Sequence, residues 1–240
     1  MNPVDLAAQE WPAPAKLNLF LHIVGQREDG YHLLQSAIQF IDLCDQLRFT
    51  VRADGDIQQA KTISAITQED DLSVRAAKLL QKTCAIKSGV TIELNKVIPM
   101  GAGLGGGSSD AATSLLVLNQ IWECGLGLTE LEVLAGQLGA DVPVFVRGAA
   151  SWVEGIGEQL EPITLPEPWY VVVFPHVYLN TQQMFSNSDL TCNCAAIKIR
   201  DFVPQSAQNV FEPIARQQPE VERAFQWLNQ YSPARLTGSG

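Results

Sequence analysis

The sequence predicts a mixed α/β (α+β) protein of two lobes. Stretches in which apolar and polar residues alternate, typical of strands, are interleaved with stretches of helical spacing in the first two thirds of the chain. Pro162, Pro166 and Pro168 then break regular structure ahead of a new apolar run. A chain of 240 residues with 46% hydrophobic content has enough apolar material for two small cores. We therefore expect one domain at residues 1–161 and a second at residues 162–240.

Four segments of the first lobe carry clear patterns. Residues 15–24, 46–52 and 90–94 alternate between polar and apolar side chains, which predicts half-buried strands. Residues 71–81 carry their apolar side chains at helical spacing. The charged segment 27–30 ends in Asp-Gly, which predicts a turn after the first strand.

A glycine-rich loop follows the third of these strands. Five of the seven positions from Gly101 to Gly107 are glycine, and two serines and a helical pattern come directly after them. Glycines let the backbone approach an anion and adopt positive φ, and a helix N-terminus adds partial positive charge. The loop is therefore predicted to bind a phosphate chain, with serine hydroxyls that can cap the helix, donate to phosphate or help to hold Mg²⁺. The residues of this candidate nucleotide site are Pro99, Met100, Gly101, Ala102, Gly103, Leu104, Gly105, Gly106, Gly107, Ser108 and Ser109.

Three different interpretations of the loop are weaker. Gly101, Gly103 and Gly106 satisfy the G-x-G-x-x-G pattern of dinucleotide-binding folds, but residues 95–100 separate the loop from its strand. A Walker A loop requires a lysine after its glycines, and the sequence has none there. A flexible linker would not lead directly into an amphipathic helix.

Two helices are predicted after the loop. The first carries apolar residues at helical spacing from Ala111 to Trp122 and should end at Gly125. Thr129 and Glu132 form a T-x-x-E capping box, which predicts the start of the second helix.

The second lobe is less regular. Residues 169–174 (WYVVVF) are predicted to form a buried strand, because they make a short continuous apolar run. Residues 180–200 are polar and poorly patterned, and residues 221–229 have helical spacing.

The charge of the chain limits its partners. Lysine and arginine number 16 against 26 aspartates and glutamates, which gives a net charge of -10. Nucleic acids and anionic membranes would be repelled on average, so we expect a small-molecule substrate and neither kind of polyanionic partner. Residues 1–16 lack a basic segment followed by an apolar one, which favours a cytoplasmic location.

The loop as a whole, P-x-G-x-G-L-G-G-G-S-S-x-A-A, resembles the central motif of the GHMP kinases. Residues 14–21 (PAKLNLFL), 25–32 (GQREDGYH) and 138–145 (LGADVPVF) are similar to the branch of that family whose substrate is a cytidine diphosphate-linked methylerythritol. The resemblance implies ATP-dependent phosphorylation of the 2-hydroxyl of that substrate, in the non-mevalonate route to isoprenoid precursors. A homoserine or mevalonate kinase is the nearest alternative.

The resemblance also implies a fold. The first domain would be similar to domain 2 of ribosomal protein S5, and the second would be a ferredoxin-like GHMP domain, with ATP and substrate bound between them. Residues 236–240 (LTGSG) match the start of the family's third motif. Family members continue beyond that motif, so the second domain is expected to be incomplete and to lack the family's C-terminal segment. An S5-like fold also occurs in nucleic-acid-binding proteins, so a non-enzymatic module stays possible, as does a dinucleotide-dependent oxidoreductase.

The resemblance implies catalytic roles for Lys16 and Asp141. Lys16 would lie beside Asp141, where an ammonium keeps a carboxylate ionised and helps to position the reacting groups. Asp141 would act as a general base or orient the hydroxyl, although its place before Pro143 is by itself typical of a helix N-cap. ATP and Mg²⁺ are the implied cofactors, and the metal ligands stay unassigned.

Five residues are implied to bind the substrate. Tyr31 would stack on the cytosine, His32 would hydrogen-bond to its edge, and Phe185 would close the opposite face of the base. Asn18, on the same face of its strand as the candidate catalytic lysine, would contact the methylerythritol part. Thr181 completes the set.

Overall fold

The computed structural model describes residues 9–61, 67–203 and 208–239, and it contains two compact units. Within the described residues, unit 1 comprises residues 9–15, 41–98 and 105–149, and unit 2 comprises residues 16–40, 99–104 and 150–239. Because these units divide at different residues, the domain boundary after residue 161 stays a prediction.

The described part of unit 1 contains paired strands and four helices. Strands β1 and β2 pair with each other and have residues in both units. In unit 1, β2 pairs antiparallel with β4 from Gln46 opposite Asn95 to Arg52 opposite Gly89, and β3 pairs parallel with β4. The elements are β1 (Trp11–Gln26), β2 (His32–Arg52), β3 (Ile57–Gln59), α1 (Leu72–Thr83), β4 (Gly89–Asn95), α2 (Gly106–Ile121), α3 (Leu128–Gly136) and α4 (Val142–Arg147).

The patterns predicted for the first lobe are confirmed by these elements. Leu47 and Phe49 of β2 and Val90 and Ile92 of β4 are fully buried at alternate positions, as period-2 strands on a core require. Asp71 caps α1, because its carboxylate accepts from the backbone N–H groups of residues 73 and 74. The predicted turn is closed by a hydrogen bond from the N–H of Gly30 to the carbonyl of residue 27 at 3.0 Å.

Two capping predictions in unit 1 are wrong. Helix α2 begins before Ser108 and Ser109, with Gly105 as its N-cap, so neither serine caps it. Helix α3 begins at Leu128, because the carboxylate of Glu130 accepts from the N–H of Gly127 at 2.8 Å. Thr129 therefore lies inside the first turn, and Glu132 instead forms a two-bond ion pair with Arg147 of α4.

The described part of unit 2 contains two strands of its own and three short helices. Strand β5 pairs antiparallel with β2 at residues 36–38 and with β6 along its length. The predicted helix at residues 221–229 is confirmed by α7, which buries Val221 and Phe225 in a cluster around Leu21, Ile23 and Phe211. The elements are β5 (Ser151–Glu154), β6 (Gln159–Pro162), α5 (Thr181–Phe185), a 3₁₀ turn (Ile199–Asp201), α6 (Glu212–Ala215) and α7 (Pro219–Leu228).

The predicted buried strand at residues 169–174 is wrong. This segment pairs with no strand in the described part of the chain, and the side chain of Trp169 is 96% exposed. A strand needs a neighbour to satisfy its backbone groups, and apolar composition cannot supply one. Side-chain bonds hold the segment instead: Tyr170 Oη donates to Gln39 Oε1 at 2.8 Å, and Gln39 Nε2 donates to the carbonyl of Pro166 at 2.7 Å. Among the described residues, no helix is long and apolar enough to cross a bilayer.

Candidate active site

The glycine loop requires glycine at three alternate positions. Gly101, Gly103 and Gly105 have φ values of 70°, 67° and 72°, which lie in the left-handed region that residues with a side chain adopt at a cost. Gly105 ends the loop as the N-cap of α2, and its carbonyl accepts from the N–H of Ser109 at 2.9 Å. The three left-handed positions therefore favour glycine, and the loop leads directly into α2, while triphosphate binding at residues 99–109 stays a prediction.

Close neighbours explain two further constraints on the loop. In unit 1, a Cβ on Gly106 would lie 3.0 Å from both Ile98 Cγ2 and Lys96 Nζ. In unit 2, a Cβ on Gly101 would lie 2.6 Å from the ring of Tyr178. A side chain at either position would displace the loop or its neighbours, because atoms in a protein interior are closely packed.

Lys16 is held by a buried hydrogen-bond chain in unit 2. It is 3% exposed, and its ammonium donates to Asn18 Oδ1. Asn18 Nδ2 donates to Ser36 Oγ at 2.8 Å, and Ser36 Oγ donates to the carbonyl of Phe20. A buried charge is stable only with such polar partners. These hydrogen bonds therefore hold the Lys16 ammonium in one orientation. The backbone N–H of Lys16 also donates to the carbonyl of Leu104 at 2.9 Å, which joins β1 to the glycine loop.

The segment 236–239 packs against the first half of the glycine loop. Thr237 Oγ1 accepts from the N–H of Asn18 at 2.9 Å, and a Cβ on Gly238 would lie 2.8 Å from the carbonyl oxygen of Gly103. Buried Asn209 fixes the segment, because its Nδ2 donates to the carbonyls of Leu236 at 3.1 Å and Gly238 at 2.7 Å. Neither Ser36 nor Asn209 was predicted from the sequence, since an isolated polar residue carries no local signal of these distant contacts.

Two of the predicted base-binding residues lie together in unit 2. The rings of His32 and Phe185 are stacked with centroids 5.2 Å apart, and Phe185 also meets Phe211 edge-on at 4.9 Å. Tyr31 is 60% exposed next to His32 in sequence, directly after the confirmed turn. Thr181 begins α5, and its hydroxyl is 2.7 Å from the hydroxyl of Ser239.

Asp141 lies in unit 1 at the start of α4. It is the N-cap of that helix, but no side-chain capping bond accompanies this position. Residues 142–146, which follow it, are all buried and anchor the helix firmly. Its side chain is half-buried and takes part in polar interactions. Since Lys16 belongs to unit 2, the pairing of Lys16 with Asp141 stays a prediction.

Unit 1 also contains a buried ionic cluster that the sequence interpretation missed. Lys96 Nζ donates to Asp45 Oδ2 at 2.5 Å and to Asp110 Oδ2 at 2.8 Å. Burial raises the pKa of Asp110 to about 7, although the Lys96 ammonium opposes that increase. The cluster has no sequence motif, because 51 residues separate Asp45 from Lys96.

A cavity of about 900 Å³ opens in unit 2 beside Asn18 and Leu104. Most of its wall is apolar and comes from residues 168–175 and 221–237. Among its described lining residues, neither His32 nor Phe185 occurs, so the cavity is separate from their stacked rings.

The GHMP kinase family is recognised in the sequence itself. Residues 71–149 match the model of the GHMP kinases N terminal domain. A 4-diphosphocytidyl-2-C-methyl-D-erythritol kinase of Nitrosococcus oceani is 53% identical over 231 residues, which cover 96% of this chain and 82% of the relative. The chain belongs to the 4-diphosphocytidyl-2-C-methyl-D-erythritol kinase family. The relative of that name in Pseudomonas aeruginosa strain PAO1 is 49% identical over 95% of the chain and 82% of its own length.

Solved structures agree with this family. The crystal structure of a 4-(cytidine 5'-diphospho)-2C-methyl-D-erythritol kinase has a TM-score of 0.76 and 30% identity, and the match covers 97% of this chain and 87% of that one. A mevalonate kinase matches with a TM-score of 0.53 at 15% identity, over 97% of this chain and 88% of its own, which shows a common fold. The predicted two-lobed α/β class is confirmed by these kinases.

Proposed function

We propose that the chain transfers the γ-phosphate of ATP to the 2-hydroxyl of 4-diphosphocytidyl-2-C-methyl-D-erythritol. The observation that carries the proposal is the left-handed glycine loop leading into α2, in a chain 53% identical to a kinase named for that substrate. Homoserine and mevalonate kinases remain the alternative within the superfamily, but only the fold supports them. The net charge of -10 supports a small-molecule substrate rather than nucleic acid, and a cytoplasmic location stays a prediction.

Residues 99–109 would bind the triphosphate. Positive φ at alternate glycines supports this proposal, because such a backbone can aim successive N–H groups at an anion, and the N-terminus of α2 adds partial positive charge. Mg²⁺ bound to ATP would neutralise phosphate charge during transfer. Among the described residues, no group of three or more acidic, histidine or cysteine side chains is placed to hold a metal ion.

Lys16 and Asp141 would perform the chemistry at the acceptor hydroxyl. Phosphoryl transfer depends mostly on alignment and on neutralising charge, so one carboxylate near the hydroxyl and one fixed cation are sufficient. Asp141 would accept or orient the hydroxyl proton. The Lys16 ammonium is already positioned by Asn18 and Ser36, which lowers the entropic cost of placing its charge at the reacting groups.

The cytosine would bind at the stacked His32 and Phe185 rings. Tyr31 is exposed enough to cover one face of a base, and His32 has ring nitrogens for its edge. Asn18 and Thr181 lie near residues 237–239, where they would contact the remainder of the substrate.

The release of ADP with three candidate substrates tests this function. The chain should consume ATP with the cytidylated methylerythritol and show far lower kcat/KM with mevalonate and homoserine, because neither carries a base for the aromatic site. Equal or greater kcat/KM with mevalonate or homoserine would contradict the proposal.

Gly105→Val is expected to weaken ATP binding by at least tenfold. A β-branched residue at φ 72° costs about 1–3 kcal/mol and would relieve that strain by moving the loop. The measurement is the Kd of a non-hydrolysable ATP analogue by calorimetry. Gly125→Val is the matched control, since it places the same side chain at φ 72° beyond the C-terminal end of α2. An unchanged Kd in folded Gly105→Val would place the triphosphate elsewhere.

Phe185→Ala is expected to raise KM for the cytidylated substrate much more than KM for ATP. Losing one aromatic face costs about 1–3 kcal/mol of base binding, which corresponds to roughly 5- to 150-fold. Phe202→Ala is the control, because Phe202 packs on Phe20 and Trp152 in a different cluster of the same unit. If Phe185→Ala raised KM for ATP alone, the assignment of the two binding sites would be reversed.

A further inference from the structure

The Asp45–Lys96–Asp110 cluster contains more negative than positive charge in a buried place. The carboxylate of Asp45 is fully used, because Oδ2 accepts from Lys96 and Oδ1 accepts from the backbone N–H groups of Val97 and Ile98. Asp110 accepts from Lys96 through Oδ2, but its Oδ1 is buried with no hydrogen-bond partner among the described residues. When the three side chains are fully ionised, the two carboxylates outnumber the single ammonium, and the excess charge lies on Asp110.

The cluster adjoins the proposed triphosphate site. Asp110 directly follows Ser109 in α2, and Lys96 Nζ lies so near Gly106 that a Cβ there would be 3.0 Å from it. A triphosphate bound at these residues with one Mg²⁺ still carries a net negative charge, and it would place that charge next to an uncompensated buried carboxylate. Like charges in a site of low dielectric repel strongly, and protonation removes that repulsion.

We propose that Asp110 takes up a proton from solvent when a triphosphate binds at the loop, so that the cluster becomes neutral. The proton would lie on Oδ1, which leaves Oδ2 to accept from Lys96. This inference rests on the proposed function, because it requires the triphosphate to lie at residues 105–109.

The electrostatics of the cluster decide which group gains the proton. The charged side chains that face Asp110 are Lys96, Asp45 and Asp71, and Asp71 is already stabilised as the N-cap of α1. Burial alone would lower the pKa of Lys96, but the two carboxylates outweigh it and raise that pKa, so the lysine stays cationic. Burial raises the pKa of Asp110 to about 7, so this carboxyl group is half ionised near neutral pH and responds readily to added negative charge.

Calorimetry of ATP-analogue binding measures the proton directly. The magnesium complex of the β,γ-imido analogue of ATP is titrated into the whole chain near neutral pH, in buffers of different ionisation enthalpy. We expect uptake of about 0.3–0.5 proton per bound analogue, because a ligand that raises a pKa near the working pH must bind protons. Asp110→Asn keeps the shape of the side chain but cannot titrate, so it should bind the analogue without proton uptake.

The pH dependence of the Kd of the unmodified chain for the analogue measures the same proton uptake independently. Its Kd should weaken by about five- to tenfold as the pH rises from about 6 to about 8.5, because each unit of pKa difference between free and bound states is worth a factor of ten. Asp45→Asn removes a charge that raises the pKa of Asp110, so it should move this change in Kd to lower pH. That variant keeps the proposal testable if Asp110→Asn does not fold.

Glu132→Gln is the matched control, since it breaks the ion pair with Arg147 in the same unit and should leave proton uptake unchanged. The inference is overturned if the unmodified chain binds the analogue without taking up a proton, if uptake persists in Asp110→Asn, or if Asp45→Asn leaves the pH dependence of Kd unchanged. Failure of the unmodified chain to bind the analogue at any pH would instead contradict the phosphate loop itself, and this inference with it.

Discussion

Asp141→Asn is expected to lower kcat by about 10²–10⁴-fold, the contribution typical of a positioned base. Asparagine keeps the size of the side chain and one acceptor oxygen, but it can neither accept a proton nor supply negative charge. KM for the substrate and Kd for the ATP analogue should stay nearly normal, because the lost interaction acts at the reacting hydroxyl. Steady-state kinetics on the purified variant are the measurement.

The melting temperature of Asp141→Asn has to be measured beside the kinetics, because Asp141 takes part in polar interactions at the start of α4, although the buried residues 142–146 hold that helix in place. Asp42→Asn, at an exposed position of β2, is the control for removing one negative charge from unit 1. Near-normal kcat in folded Asp141→Asn would return Asp141 to the role of a helix N-cap and leave the mechanism without its carboxylate.

Lys16→Met is expected to lower kcat by about 10²-fold or more, because it removes a cation that is placed before the substrate arrives. Methionine fills a similar volume, but it leaves Asn18 Oδ1 without its donor in a buried place. The melting temperature therefore has to be measured beside the kinetics. Lys78→Met, at an exposed position of α1, is the control for the loss of one positive charge.

The double variant Lys16→Met/Asp141→Asn tests whether the two residues act as one unit. If they do, its kcat should be little lower than that of the worse single variant, since removing either partner already disables the pair. Losses that multiply would show that Lys16 and Asp141 act independently, and the proposed pairing would then be wrong.

The regular elements of unit 1 could be predicted because their signals are local. Alternation marked β1 and β4, and helical spacing marked the body of α2, although that helix begins at Gly106, within the glycine run. The capping box at Thr129 failed because a competing acceptor, Glu130, stands two residues closer than Glu132 to the true start at Gly127. When two possible capping boxes lie so close together, the rest of the fold rather than the local sequence decides which of them forms.

The other predictions failed because they depended on contacts between residues that are far apart in the sequence. Residues 169–174 have the composition of a buried strand, but a strand exists only beside a neighbour, which composition cannot reveal. The prediction of the candidate site divides in the same way, between local motifs and long-range contacts. Family motifs identified Lys16, Asp141 and the glycine loop as candidates, whereas Asn209 and the cluster around Asp110 depend on contacts between distant segments. A single charged residue in a sequence is most often solvated, so nothing distinguished Lys96 until its two carboxylates were seen beside it.

The identity of the phosphorylated product tests the central claim most directly. The chain is incubated with ATP, Mg²⁺ and 4-diphosphocytidyl-2-C-methyl-D-erythritol, and the product is examined by mass spectrometry and phosphorus NMR. The proposed function predicts one added phosphoryl group, seen as a new phosphomonoester resonance coupled to the carbons around position 2, with one ADP released for each product molecule. Release of ADP without a phosphorylated product, or a phosphate on a different hydroxyl, would contradict it.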